Sequence, residues 1–357
     1  MKALIAAGGT AGHVVPALAV ADALRADGHE VVFAGGQRAE AELVPAAGYE
    51  LRPLNVEGIS RSNPLKALRA MAKAAGALVA ARRMLRAERP DVVMGGGGYV
   101  AGPVGAAAVL ARIPLVLTEA DSHLGLTNRA LARFARRVCL AFPIAGREGE
   151  PYLVTGRPVP RAVLEGDRAK ARERFGIAAD ARCLLVFGGS QGARTINFAA
   201  VEAFAEGAGR DFHVLHIAGR RDFAEIERRL ATAPGRDRYT LLEYEPNLGD
   251  ALAAADLVLA RSGGSIFEVI AAGRPAILAP FPFATADHQS ANAEWMRSGG
   301  AAVVIPDAEL TAERLGAEVA AVLDDEARLG EMAAAARRLA KPDAARRIAD
   351  QVLEAAR

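Results

Sequence analysis

The 357-residue sequence has only two cysteines, Cys139 and Cys183. They stand far apart, each within an apolar run that reads as a strand, so no disulfide framework is expected and both read as core thiols of a reducing compartment. Six histidines lack CxxC or HExxH spacing, which removes a structural zinc site. An excess of one charge is also missing. The 44 basic and 42 acidic residues leave a formal net charge of +2, and bulk charge gives no reason to expect nucleic acid. No secretory leader precedes the first apolar run, because Met1-Lys2-Ala3 enters it directly, and a cytoplasmic protein is expected. One uncharged stretch, Val92 to Ala111, is long enough to span a bilayer, but its six glycines and Pro103 make it a strand, a glycine loop and a buried helix. There is no Gly-Lys pair and hence no Walker A loop, and no GxGxxG of the nicotinamide type.

What is present is an alternation of strand and helix signals. The length exceeds one core, and with 52% hydrophobic residues two domains are expected. Apolar runs at Ala3 to Ala7, Glu30 to Ala34, Tyr49 to Asn55, Asp91 to Met94, Pro114 to Thr118, Arg137 to Ala141 and Tyr152 to Thr155 read as buried parallel strands. Helical patterns separate most of them, the signature of a doubly wound sheet. Gly156-Arg157-Pro158-Val159-Pro160 continues neither element and marks the boundary. The second half repeats the logic, with strands at Cys183 to Phe187, His213 to Ile217, Tyr239 to Leu242, Leu257 to Ala260, Ala276 to Ala279 and Ala301 to Ile305. Amphipathic helices from Glu309 to Arg357 close the chain. The expected domains are residues 1–156 and 157–340, with 341–357 a terminal helix. The fold class is α/β, two Rossmann-like doubly wound parallel-sheet domains.

Each half places Gly-Gly-x-x-Gly between a strand and a helix, as Gly8 to Gly12 and Gly188 to Gly192. Glycines permit the sharp turn, and the free N–H groups of a helix start favour anions. His13 sits at the first of these mouths. It reads either as a base that takes a proton from a hydroxyl or as a bystander to a phosphate loop. The second loop, Gly188-x-Ser190-x-Gly192, also fits a hydrolase nucleophile elbow, with Asp256 and His288 following in triad order. Against this, it leaves a whole preceding domain unexplained, and Ser190 reads better as a phosphate donor. A third loop, Arg261-Ser262-Gly263-Gly264-Ser265-Ile266-Phe267-Glu268, opens a helix whose Glu268 is either a stabilising first-turn acid or an acceptor for ribose hydroxyls. Asp287-His288-Gln289 with Asn292 reads as a sugar-hydroxyl reader or a capped surface helix. Between Arg61 and Arg89, eight basic residues stand against the single acid Glu88 among Leu, Met and Val, which fits an anionic membrane surface or a solvated helix face.

Taken in order, Gly8 to Pro16, Gly97 to Pro103, Gly125-Leu126-Thr127-Asn128, Gly188 to Arg194, Arg261 to Glu268 and Asp287 to Asn292 resemble the MurG family of bacterial cell-wall glycosyltransferases over essentially the whole chain. The resemblance implies a GT-B fold, with the two domains facing across a cleft and the terminal helix crossing back to the N-terminal domain. It further implies transfer of N-acetylglucosamine from UDP-N-acetylglucosamine to the muramoyl hydroxyl of lipid I, undecaprenyl-pyrophosphoryl-muramoyl-pentapeptide, with inversion. Another GT-B enzyme, such as a diacylglycerol glycosyltransferase, and a non-catalytic nucleotide-sugar binding module are the alternatives.

On this resemblance the donor site takes Thr10, Ala11, Gly12, Ser190, Gly264, Ser265, Glu268, His288 and Gln289, with Glu268 on the ribose and Gln289 on the sugar. Tyr99 and Asn128 fall in the acceptor region. His13 is the implied base and Glu119 its alternate. The sequence departs from the family where Thr118-Glu119-Ala120-Asp121 replaces His-Glu-Gln-Asn, which moves a donor contact to Asp121. Pro160 displaces an arginine to Arg161, expected near the diphosphate, and the loop before Glu268 is one residue short. No Asp-x-Asp occurs, so transfer without metal or other cofactor is expected. The partners implied are the two substrates, an anionic membrane surface at the cytoplasmic face, and cell-wall or division machinery.

Overall fold

The computed structural model describes residues 1–56, 64–189, 192–207, 211–284 and 287–357, with the backbone alone for 64–75. Among these residues two all-parallel sheets form. The first holds β1 (Lys2–Ala6), β2 (Glu30–Gly35), β3 (Glu50–Pro53), β4 (Val92–Gly95), β5 (Leu115–Glu119), β6 (Arg137–Leu140) and β7 (Tyr152–Val154), in the order β3-β2-β1-β4-β5-β6-β7. The second holds β8 (Arg182–Phe187), β9 (Phe212–Ile217), β10 (Tyr239–Leu242), β11 (Leu257–Ala260), β12 (Ala276–Leu278) and β13 (Ala302–Val304), in the order β10-β9-β8-β11-β12-β13. Every strand read from the sequence is present, with no end displaced by more than two residues. Pro114 shows why: its carbonyl accepts from Val93 N at 2.9 Å, but it has no N–H to donate, so the ladder begins at Leu115.

The chain divides into two compact units, Met1–Val159 with Lys341–Arg357, and Pro160–Ala340. In the first unit β1 is buried on both faces, which is why it reads as an unbroken apolar run. Ala3 and Ile5 pack with Val14, Val20 and Leu24 of the Ala11–Ala26 helix, while Leu4 and Ala6 pack with Val100, Val104 and Ala107 of the Gly98–Ala111 helix. The terminal Ala344–Ala355 helix belongs to the first of these layers through Ile348, Ala349 and Val352. Its polar face is held by Arg346 to Asp27 at 2.6 Å and by Arg137 to Gln351 at 2.9 Å. The Pro64–Glu88 helix covers the opposite layer with Ala81 and Leu85, and leaves Arg82, Arg83 and Arg86 exposed. No helix among the described residues is long and apolar enough to cross a membrane.

In the second unit one layer packs Leu184 and Val186 of β8 against Ile196, Ala200, Leu315 and Val319. Strand order reverses between β1 and β4 and again between β8 and β11. In doubly wound sheets ligands settle beyond the carboxyl ends of the strands flanking such a reversal, so the loops after β1, β4, β8 and β11 are where a site is expected.

Candidate active site

In the first unit the loop after β1 turns at Gly9, with φ +106°, and the helix starts at Ala11, which puts His13 in the first turn. Pro16 has no N–H to offer the Gly12 carbonyl four residues back. Arg157 donates to that carbonyl instead, at 2.6 Å, tying the boundary segment to the loop. His13 lies against Gly97, where a Cβ would come within 2.6 Å of Nδ1. Gly97 and Gly98 have φ of +96° and +76°, and a Cβ on Gly98 would collide with the Gly8 carbonyl. Glycine at these two positions therefore lets the loops after β1 and β4 touch.

The cavity beside them measures about 690 Å³ and is lined by His13, Gly96 to Tyr99, Pro103, Thr118 to Asp121 and Gly125 to Asn128, with Val56 and Leu78. Burial holds the His13 imidazole below its usual pKa, and the Arg157 cation adds to the effect while Asp121 opposes it. His13 is thus neutral at pH 7 and able to accept a proton. Glu119 is 7% exposed, and burial raises its carboxyl pKa against the pull of its hydrogen bonds. Its Oε2 accepts from Gly125 N at 2.8 Å and Asn128 Nδ2 at 2.9 Å, and its Oε1 from Asp121 N at 3.2 Å. Asn128 also donates to the Thr118 carbonyl at 2.9 Å. These bonds make Glu119 and Asn128 the frame of the 119–128 loop.

In the second unit the loop after β11 is braced from several sides. Arg261 donates to the carbonyls of Ala279 and Pro280 at 2.9 and 3.2 Å, to Asp307 at 2.5 Å and to Thr195 at 2.8 Å. Ser262, fully buried, donates to the Gln289 carbonyl at 2.7 Å, and Asn292 Nδ2 donates to the Ser262 carbonyl at 2.9 Å. Gln289 Oε1 accepts from Phe281 N at 2.9 Å, which leaves its amide nitrogen beside Gly263. Glu268 lies half-buried in the first turn of the Ile266–Ala271 helix, after Gly264 and Ser265, and His288 opens the His288–Ser298 helix. Arg161 is 85% exposed and paired with Glu165 at 2.6 Å.

Residues 3–140 match the glycosyltransferase family 28 N-terminal domain, and residues 183–348 the glycosyltransferase family 28 C-terminal domain. The chain belongs to glycosyltransferase family 28. It is 41% identical, over 99% of both chains, to a protein of Moorella thermoacetica named UDP-N-acetylglucosamine--N-acetylmuramyl-(pentapeptide) pyrophosphoryl-undecaprenol N-acetylglucosamine transferase. A protein of the same name from Halorhodospira halophila is 43% identical over 97% of this chain and 96% of its own. Among solved structures, MurG of Acinetobacter baumannii has a TM-score of 0.77 at 31% identity and 99% coverage of each chain. A UDP-GlcNAc 2-epimerase from Neisseria meningitidis reaches 0.71 at 13% identity and shares the fold alone.

Family 28 membership makes the chain a glycosyltransferase, and the geometry removes the hydrolase reading. Ser190 and Gln191 lie outside the described residues, but Asp256 stands at the opposite end of the sheet from their loop. It precedes β11, accepts from Cys183 N at 2.8 Å at the start of β8, and is paired with Arg168 at 2.6 Å and Arg172 at 2.9 Å. A triad would need it beyond the far end of β8.

Three features of this family 28 chain escape sequence reading. One is Arg157 on the Gly12 carbonyl. The second is a buried chain behind the β8 loop, in which Asn197 donates to the Ala218 carbonyl at 2.8 Å, His216 pairs with Asn197 at 3.0 Å, and Tyr239 with His216 at 2.7 Å. The third is Glu40, wholly buried beneath the β1 loop. Its only signal is an acid four residues after Gly35-Gly36.

Proposed function

We propose that this chain transfers N-acetylglucosamine from UDP-N-acetylglucosamine to the muramoyl hydroxyl of lipid I, giving lipid II for peptidoglycan, with His13 as the base. Two findings support the reading: relatives near 40% identity over nearly their whole length that carry this name, and a neutral imidazole lining a cavity large enough for a sugar and its diphosphate. The observation that carries it is His13 against Gly97, at the carboxyl ends of β1 and β4.

The loops of the second unit hold the nucleotide sugar, with Glu268 on the ribose and Gln289, through the amide nitrogen beside Gly263, on the sugar. Helix starts and Ser190 receive the diphosphate. The acceptor lies in the first unit's cavity, framed by Tyr99, Glu119 and Asn128. As its hydroxyl oxygen bonds to the anomeric carbon, the carbon–oxygen bond to the diphosphate breaks and UDP leaves with the bonding pair. The configuration inverts through an oxocarbenium-like state. The hydroxyl proton passes to His13. His13 is preferred to Glu119 because both Glu119 oxygens already accept N–H donors.

Arg82, Arg83 and Arg86 form an exposed basic face in the same unit as the exposed apolar side chains Val79, Leu110, Leu126 and Phe134, and together they dock the enzyme on an anionic membrane at its cytoplasmic face. Changing the three arginines to glutamine is expected to weaken binding to anionic vesicles by up to about 3 kcal/mol, on the order of 1 kcal/mol per charge. Unchanged binding would remove the membrane role.

The function is tested by transfer of labelled N-acetylglucosamine to a lipid I analogue, with diacylglycerol as competing acceptor and a chelator in parallel. Label on the lipid I analogue, insensitive to chelator, is expected. Label on diacylglycerol alone, or turnover restored only by magnesium, would overturn the reading.

A further inference from the structure

Glu40, in the Ala39–Ala46 helix, is 0% exposed and draws donors from three separate segments. Gly9 N donates to its Oε2 at 2.8 Å, while Gly36 N at 2.9 Å and the Tyr99 hydroxyl at 2.8 Å both donate to Oε1. These partners belong to the loop after β1, the loop after β2 and the helix after β4. The surroundings are fitted to the carboxyl group, since a Cβ on Gly8 would come within 2.7 Å of Oε1 and one on Gly35 within 2.8 Å of Cγ. Burial by itself would raise the pKa, but the bonds from Gly9, from its own backbone N–H, from Tyr99 and from Gly36 outweigh it and hold Glu40 below the ordinary carboxylate value. It is therefore a buried anion at neutral pH. Burial and this anion raise the Tyr99 pKa to about 12, and Arg38 lies over the Tyr99 ring at 5.2 Å.

Burying an uncompensated carboxylate is costly unless its hydrogen bonds are complete, so its placement needs a reason. We infer that Glu40 is a positioning residue for the transfer reaction, whose carboxylate pins the Gly9 turn and Tyr99 together so that His13 meets the acceptor hydroxyl. His13 follows Gly9 by four residues and rests on Gly97, two residues before Tyr99, so the carboxylate grips both walls of the imidazole's seat. The inference rests on the proposed role of His13 and adds a residue that touches no substrate. It also assigns the Tyr99 hydroxyl proton to Glu40, which leaves the ring to face the acceptor.

The test is Glu40→Gln in the full-length enzyme. The glutamine oxygen can serve Gly36 and Tyr99, but its NH2 then faces the Gly9 N–H and frees the turn. The rate per folded molecule is expected to fall on the order of 10- to 100-fold, the cost of a base misplaced by about 1 Å. Once released, the imidazole is less buried, so the acid limb of kcat/KM should move up toward about 6.5. A simple loss of folded protein would not shift that limb. The charged groups acting on His13 from its surroundings, Arg157 and Asp121, are untouched. Tyr99→Phe removes one donor and keeps the Glu40 charge, so a limb that rises there too arises from the loosened seat. It also decides the matter if Glu40→Gln does not fold. A parental rate, or a slowed rate with the limb unmoved in both variants, would overturn the inference. If His13→Ala itself transferred at the parental rate, the reading beneath it would fall instead.

Discussion

The two units place the same strand, glycine loop and helix at the carboxyl edge of each sheet, yet they equip those edges differently. In the first unit the groups around the loops have displaced proton affinities: His13 is lowered by burial, Glu119 is raised by burial, and Glu40 is lowered because its hydrogen bonds overcome burial. In the second unit the described residues behind the loops form a fixed lattice. Arg261 reaches four oxygens, and His216, wholly buried, has its pKa lowered to about 3 by that burial. Between Tyr239 and Asn197 it stays neutral and moves no proton near pH 7. On the proposed function, one edge takes up a proton and the other holds its shape around a ligand. The strand-loop-helix element fixes neither task; the polar residues packed behind the loop do.

The sharpest way to break this contrast is His13→Ala. Loss of a general base is expected to lower kcat by about 10²- to 10⁴-fold, while UDP affinity, measured by calorimetry, stays within about twofold. Equal losses in both would erase the distinction between the edges. Next in size is Arg261→Ala. Its side chain is 12% exposed and it neutralises Asp307, 17% exposed, so removal is expected to cost the second unit about 2–4 kcal/mol in urea unfolding. KM for UDP-N-acetylglucosamine should rise on the order of tenfold, with kcat changed less. Arg261→Lys is expected to recover little of this, because a single ammonium cannot span four oxygens.

The third effect is in pH, and it is the smallest when counted per pH unit. His216 binds no proton in the folded state until about pH 3, whereas the unfolded chain binds one below about 6.5. Between those values the unfolded state holds more protons, so stability falls as pH falls, by up to about 1.4 kcal/mol per unit. Trp295, the single tryptophan, lies in the second unit and reports its unfolding by fluorescence. His216→Gln should flatten that slope, and a slope equal to the parent's would place the titration elsewhere.

How much of this was legible depends on what each residue answers to. Strands such as β1, β8 and β11 are buried on both faces and so announce themselves as apolar runs, while their ends depend on hydrogen-bond partners that a run does not show, as at Pro114. His13, Glu119, Asn128 and Gln289 belong to motifs contiguous in sequence, and the structure sets them at the strand ends where the motifs lie. Glu40 belongs to no motif. It gathers Gly9, Gly36 and Tyr99 from positions 31, 4 and 59 residues away, and only the folded sheet brings these together. Arg157 reads in the sequence as part of a boundary, and its bond to Gly12 follows from a missing proline N–H three positions beyond His13.

The central claim is that an uncharged His13 accepts the proton of the attacking hydroxyl. The most direct test is the single-turnover rate of transfer to a lipid I analogue across pH 4.5 to 8 (about the range a histidine spans), for the parent and for His13→Ala. The account predicts an acid limb below about 6.5 in the parent and no such limb in the residual rate of the variant. A limb at or above 6.5, or the same limb surviving in His13→Ala, would contradict it.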